Sequence, residues 1–218
     1  MQRSLRSGEV CRDSASKLEE IAGAVRACQR CALHKTRKNA VPGEGDPCAR
    51  VVFVGEAPGF NEDLQGRPFV GAAGALLTEL IESIGLRREE VFITNVVKCR
   101  PPQNRDPREE EISACLPYLV EQLRAIKPEV VVTLGRHSAR AVHALFGLRV
   151  TSILEARGRV ARVKAEWGEV ILYPTLHPAA ALYNPRLRTL LEEDFRALRE
   201  LLATAGRRGG TLDTFLGL

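Results

Sequence analysis

The chain has 218 residues, 44% of them hydrophobic, and its 32 Lys+Arg against 27 Asp+Glu give a formal net charge of +5 and a sequence pI near 9.0. That length suits one compact domain plus short tails. No apolar run approaches the roughly 20 residues of a membrane span, and the opening "MQRSLRSGEVCRDSASKLEE" lacks the apolar core of a secretory signal, so a cytoplasmic protein is expected. The basic excess suits a polyanionic partner, because Lys and Arg gain affinity by displacing phosphate counterions; its bias towards Arg fits a thermophile or a GC-rich genome.

Residues 1–14 are polar and expected to form a flexible extension. "SASKLEEIAGAVRACQRC" places Leu18, Ile21, Ala22, Val25 and Ala27 near helical period and delivers Cys28 and Cys31 at its end. "RVVFVGEAPG" is a short β-branched run ending in Gly, the pattern of a buried parallel strand; "EVFITN" (90–95), "EVVVTLG" (129–135) and "EVILYPTLHP" (169–178) repeat it. Helical patterns lie between these runs. "GAAGALLTELIESIGL" is one, and the next opens with Asp106 as N-cap, Pro107 at the first helical position and Glu109 at the third. Its apolar face is Ile112, Cys115, Leu116, Leu119 and Leu123. Another helix runs from about Arg136 to Leu145. The last follows Asn184-Pro185 and carries Leu187, Leu190, Leu191, Phe195, Leu198 and Leu202 on one side. Strand-like pieces over 149–168 point to a hairpin, and 205–218 reads as a flexible Gly-rich tail with a small apolar cluster. Strands alternating with helices make an α/β domain over 15–204 with a parallel sheet, whose active site belongs at the carboxyl ends of its strands. "GEAPG", "TNVVKC", "TLG" and "TLHP" all fall there.

Six cysteines without a secretory signal favour metal binding or catalysis over disulfides. Cys28-x-x-Cys31 has the spacing of two ligands to one centre. Cys99 follows a strand end, and Cys115 on the next helix approaches it if the loop folds back, as Pro101, Pro102 and Pro107 encourage. Four converging thiolates suit either zinc or an iron–sulfur cluster; the alternative is a plain core Cys115 and a free Cys99 thiol. His34 either completes a zinc site or sits at the surface beside Lys35, and Cys11 and Cys48, lacking partner spacing, read as bystanders.

The loop "VGEAPGFNEDLQGRPFVGAAG" is neither a Walker A loop nor Gly-x-Gly-x-x-Gly, and Glu56, Glu62 and Asp63 argue against a phosphate cradle. Phe69 within it is either core or a platform for a flat ring. His177, at a strand end and fixed by Pro178, is a candidate acid or electrostatic partner, or else a histidine bonded to backbone. His137 and His143 fall in a helical pattern and read as structural.

"GEAPGFNEDLQGRPFVGAAG", "ITNVVKCRPPQNRDP" and "LHPAAALYNP", with Cys28-x-x-Cys31 upstream, together resemble the family 4 uracil-DNA glycosylases over about Cys28 to Leu202. The resemblance implies a three-layer α/β/α sandwich around a central, mostly parallel four-stranded sheet, acting on uracil in double- and single-stranded DNA as a monomer. It assigns Cys28, Cys31, Cys99 and Cys115 to a [4Fe–4S] cluster. It makes Phe69 the ring that stacks on a flipped uracil, Asn95 the amide that reads its edge, His177 the donor to its O2, and Glu62 the obstacle to thymine's methyl group. The uracil-binding turn is Gly55-Glu56-Ala57-Pro58, with Ala57 where better-known uracil-DNA glycosylases carry an Asp that handles water; Glu56 becomes the candidate for positioning water or countering sugar charge. Leu182 or Tyr183 maps onto the wedge that fills the gap left by the base, and Arg100 and Arg105 onto phosphate contacts. The tail resembles a sliding-clamp-binding box, with Leu212, Phe215 and Leu216 docking in a groove, though Gly209 stands where Gln is usual.

Two rival classes make different predictions. A non-catalytic DNA-binding iron–sulfur protein leaves no abasic product, and a zinc-stabilised nucleotide-binding protein lacks visible absorbance.

Overall fold

The structure is a computed structural model that describes residues 8–205. In chain order its elements are α1 (Gly8–Ala27), β1 (Glu44–Gly45), β2 (Val51–Gly55), α2 (Phe60–Gln65), α3 (Ala72–Ser83), β3 (Phe92–Asn95) and α4 (Glu109–Ile126). Then follow β4 (Val130–Leu134), α5 (Arg136–Ala144), α6 (Ile153–Ala156), β5 (Ala161–Ala165), β6 (Gly168–Thr175), α7 (Pro178–Ala181) and α8 (Pro185–Ala205). The tail residues Leu212, Phe215 and Leu216 lie outside the described residues.

The sheet has six strands in the order β1-β3-β2-β4-β6-β5, not four. The four expected strands form its parallel centre. The two additions are antiparallel edges: β1 is a two-residue pairing too short to leave a periodic signature, and β5 is the outer arm of the expected hairpin.

Alternation along the strands sorts the core into two layers. Val52 and Val54 of β2, Val131 of β4 and Leu172 of β6 face one side, where they meet Val25 of α1, Leu119 and Leu123 of α4 and Val142 of α5. Val51 and Phe53, Val130 and Val132, and Ile171 and Tyr173 face the other, against Leu77 and Ile81 of α3 and Leu191, Phe195 and Leu198 of α8. Phe53 stacks on Phe195 at 5.9 Å between ring centroids. The central strands are buried on both faces, which explains their continuous apolar runs.

Three local expectations are corrected. The segment expected to be loose is helical from Gly8, because two tertiary ties hold it. Ser14 Oγ donates to the Ala125 carbonyl at 2.9 Å, and Cys11 forms a disulfide with Cys48, across 37 residues. These two cysteines are therefore partners rather than bystanders. Helix α4 begins later than its sequence signal, with Arg108 as N-cap. Glu111 does the capping, accepting from Arg108 N at 2.8 Å and from the Arg105 guanidinium. Asp106, the expected cap, instead pairs with Arg136 and His137 at the start of α5.

Candidate active site

Strand order reverses between β2 and β4, and ligands of open α/β sheets bind beyond the strands' carboxyl ends at such a point. A cavity of about 310 Å³ opens there, lined by Glu56, Ala57, Glu62, Phe69, Asn95 and His177 among others. The sequence-predicted residues from three separate loops thus converge.

Asn95 ends β3 and is 1% exposed, yet its Oδ1 has no hydrogen-bond partner. Buried polar atoms are rarely left so, since each unmade bond costs about 1–3 kcal/mol. Thr133 Oγ1 on β4 shares that state but does not line this cavity. Gly55 makes room for the amide: a Cβ there collides with Asn95 Oδ1 and comes within 2.8 Å of the Phe69 ring.

Phe69 sits in the left-handed region at φ 51°, unusual for an aromatic residue. Two features hold it. The Glu62 carboxylate gathers the loop, accepting from Gly59 N at 3.1 Å, Val70 N at 2.9 Å and Gly71 N at 3.0 Å. Gly74 of α3 lets the Phe69 carbonyl approach, where any Cβ would clash. Glu62 therefore has a positioning task in addition to lining the pocket.

His177 caps α7, with Pro178 at the first helical position. Its Nδ1 accepts from Ala179 N at 3.1 Å, so the ring proton of the neutral form lies on Nε2. Burial pushes its pKa down to about 4 against the opposing pull of Glu62, leaving a neutral ring at pH 7. The ring lies beside Phe69, with centroids 5.6 Å apart. Burial raises the Glu56 carboxyl above its ordinary value; His137 acts to lower it and Asp106 to raise it.

His137, read as structural, stands 3.9 Å from Glu56 and 3.3 Å from Asp106. The signal for it was its place just after a strand end, in "TLGRH". His143 is structural as expected: it is buried and bonded to the Ala139 carbonyl at 2.8 Å.

The outer residues divide. Tyr183 is 93% exposed, whereas Leu182 packs on the α3–α8 layer. The Arg100 guanidinium lies 5.0 Å from the Phe60 ring centroid and donates to Asn104 at 2.7 Å. Arg105 forms a two-pronged pair with Glu111 at 2.6 and 2.8 Å, which offsets its charge.

Cys28, Cys31, Cys99 and Cys115 line one recess, which His34 joins while keeping its Nδ1 2.7 Å from the Cys31 carbonyl. Donors point at the sulfurs: Arg37 Nη1 at 3.0 Å from Cys99 Sγ and Lys98 N at 3.2 Å from Cys115 Sγ. Burial raises the Cys99 thiol and pushes Cys115 up to about 11. Lys98, between pocket and recess, is fully buried and bonded to Thr94, Asn95 and Gln122; burial pushes it down to about 7 against the influence of Cys115.

A parallel-sheet domain whose switch-point pocket holds an unpartnered amide and a neutral imidazole is built for a small planar polar ligand. The model of the uracil DNA glycosylase superfamily matches residues 42–203, and the chain belongs to that superfamily. It is 57% identical over 201 residues to the type-4 uracil-DNA glycosylase of Sulfurisphaera tokodaii, spanning 92% of this chain and 90% of that protein. The type-4 enzyme of Saccharolobus solfataricus is 54% identical over 200 residues, with 91% of each chain covered. That of Archaeoglobus fulgidus is 52% identical over 200 residues, covering 91% of this chain and 98% of the relative.

Proposed function

We propose that this chain is a uracil-DNA glycosylase that binds an everted uracil in the pocket and hydrolyses its N-glycosidic bond, leaving an abasic site for base excision repair. The observation that carries this reading is Asn95, whose buried Oδ1 is unpartnered, in the lining of the cavity at the strand ends. An amide offers one acceptor and two donors. Its oxygen accepts from uracil N3–H and its NH₂ donates to O4. Cytosine reverses both groups, so it leaves buried polar atoms unpaired. Eversion costs a few kcal/mol, offset by stacking on Phe69 and by Tyr183, whose exposure makes it the better wedge of the two candidates.

Cleavage breaks N1–C1′, and the electron pair leaves with the base. Negative charge collects on uracil O2, where the neutral His177 donates from Nε2 in the manner of an oxyanion hole. Water oxygen then bonds to C1′, and the proton it sheds is balanced by protonation of the departed uracil anion, giving an abasic hydroxyl and neutral uracil. Glu56 lies where a carboxylate opposes the positive charge on the sugar and orients that water. Glu62 holds the Phe69 loop and obstructs a methyl group on the base. Arg100 and Arg105 face the phosphates, Arg105 in competition with Glu111.

Cys28, Cys31, Cys99 and Cys115 hold a [4Fe–4S] cluster in this reading. Among the described residues no three of these sulfurs lie mutually within 4.8 Å. A tetrahedral zinc at about 2.3 Å from each sulfur draws them to about 3.8 Å, so the wider spacing supports a cluster. When bound, the cluster supplies a rigid tie between the end of α1, the loop after β3 and α4, together with net negative charge. Among the described residues no helix is long and apolar enough to cross a membrane. A cytoplasmic monomer that docks on a sliding clamp through Leu212, Phe215 and Leu216 completes the proposal, and clamp capture by a chain deleted of 209–218 would refute that last part.

The decisive experiment incubates the purified protein with U·G, U·A and single-stranded uracil oligonucleotides, read by alkaline cleavage. Strand scission at uracil is expected. Its absence in every context sinks the proposal and leaves a non-catalytic DNA-binding protein.

A further inference from the structure

Among the described residues two aromatic side chains are left exposed, Tyr183 at 93% and Phe60 at 58%. Tyr183 has a place as the wedge. Phe60 has none so far: it opens α2 directly after Gly59, which lines the pocket, so its ring stands outside the mouth while Phe69 lies buried within. The ring is not bare, however. Arg100 Cζ lies 5.0 Å from its centroid, and the same guanidinium donates from Nε to Asn104 Oδ1 at 2.7 Å. Pro101 and Asn104 line the pocket, so ring, guanidinium and amide form a continuous strip from α2 to the edge of the cavity.

The charge on that strip is uncompensated. Arg105 is paired with Glu111 and Arg136 with Asp106, whereas among the described residues Arg100 forms no ion pair. The acids of α2 are occupied elsewhere: Glu62 accepts from the backbone of Gly59, Val70 and Gly71, and Asp63 from that of Lys38 and Asn39. An acidic peptide would use the cation and leave the ring idle, and a purely apolar partner would have to strip water from the guanidinium. A nucleotide uses both, its flat base taking the aromatic face and its phosphate the cation.

We propose that Phe60, braced by Arg100, is a stacking platform outside the pocket for the base of a nucleotide adjoining the everted uracil, with Arg100 on the intervening phosphate. This rests on the uracil-DNA reading of the pocket. A base paired and stacked in a duplex cannot lie on the ring, so the platform serves single strands and locally opened duplexes.

The test compares Phe60→Ala and Phe60→Trp with the wild-type holoprotein on single-stranded uracil oligonucleotides, at matched iron content. Two further substrates carry a base-less tetrahydrofuran residue in place of the 5′ or the 3′ neighbour of the uracil. Phe60→Ala is expected to raise KM about tenfold on the ordinary strand with kcat held, the signature of lost uniform binding, and Phe60→Trp to keep the wild-type KM. Removing the stacked neighbour should raise the wild-type KM by a similar factor and add nothing in Phe60→Ala, which also identifies the side on which the base lies. An unchanged KM in Phe60→Ala overturns the platform. So does a penalty that persists in full on both base-less strands, because a merely structural ring would behave that way. Arg100→Gln is expected to reduce the slope of log affinity against log salt by about 0.7, and an unchanged slope overturns the phosphate contact. The two levels fail separately. A wild-type protein that leaves uracil in place in every context sinks the pocket reading and the platform with it, whereas a wild type that excises uracil and a Phe60→Ala variant that matches it sink the platform alone.

Discussion

Two buried polar clusters lie in the two halves of this molecule, and they are built to opposite ends. Beneath α8, Asp194 is 4% exposed and fully engaged: Thr175 donates to it at 2.6 Å, Arg157 grips both of its oxygens, and Tyr173 donates to its carbonyl at 2.8 Å. At the strand ends, Asn95 is buried as deeply with its Oδ1 unpartnered, and Glu56 has His137 only at 3.9 Å. Burial pushes both carboxyls upward, but hydrogen bonds from Thr175 and Arg157 pull Asp194 back, while Glu56 feels only charges at a distance. A closed cluster fastens a helix to a sheet. An open one holds its bonding capacity for a ligand, at a cost in stability that the rest of the core offsets.

The contrast predicts that damage to the closed cluster unfolds the protein and damage to the open one stops its chemistry. Asp194→Ala leaves the Arg157 guanidinium with Glu193 and the Leu190 carbonyl but removes the bonds from Arg157 and Thr175 to the buried carboxylate; it is expected to cost about 2–4 kcal/mol in denaturant unfolding, with excision per folded molecule intact, and lost excision at full stability reverses the assignment. His177→Ala and Asn95→Ala are expected to lower kcat roughly 10²–10³-fold while the urea midpoint holds or rises. Wild-type-like turnover in both removes the proposed roles.

Titration sharpens the comparison. A histidine whose folded pKa is depressed refuses a proton that the unfolded chain accepts. Its contribution to stability is whole above the ordinary value of 6.5 and drains as pH falls towards about 4. Replacing His177 with Asn should flatten the stability profile in that window. Glu56 has the opposite sign. Its folded pKa is raised, so its contribution is present below the ordinary carboxyl value and lost as pH rises through the folded one. Glu56→Gln is therefore expected to raise the melting temperature at pH 7, lower excision, and erase the acidic limb of the pH–rate profile; an unchanged limb assigns it to another group. The smallest effect is expected from Tyr173→Phe, about 0.5–1.5 kcal/mol for one hydrogen bond, with no change in excision.

What could be read from the chain follows from how each feature is encoded. The four central strands announce themselves because burial on both faces writes an unbroken apolar run. Their trailing loops mark the site by topology alone, and Cys28-x-x-Cys31 marks by spacing a pair that the structure brings into one recess with Cys99 and Cys115. Features made only by tertiary meeting left no such mark. Cys11 and Cys48 are brought together by the path of α1. Lys98, in "NVVKC", carries no signal in the sequence that it is buried among acceptors. Asp106 carries a perfectly good capping signal, yet the Arg136 guanidinium recruits it first. His137 looks like one more helical residue until α5 swings it towards Glu56.

The disulfide between Cys11 and Cys48 has a practical corollary for anyone preparing this protein. The same polypeptide asks for one oxidised pair and, at the far end of the same helix, thiols that stay reduced. Under the cluster proposal, filling of the quartet is expected to precede oxidation of the Cys11–Cys48 pair. Strong reductant throughout a purification sacrifices the staple, and early aeration exposes the quartet to mispairing.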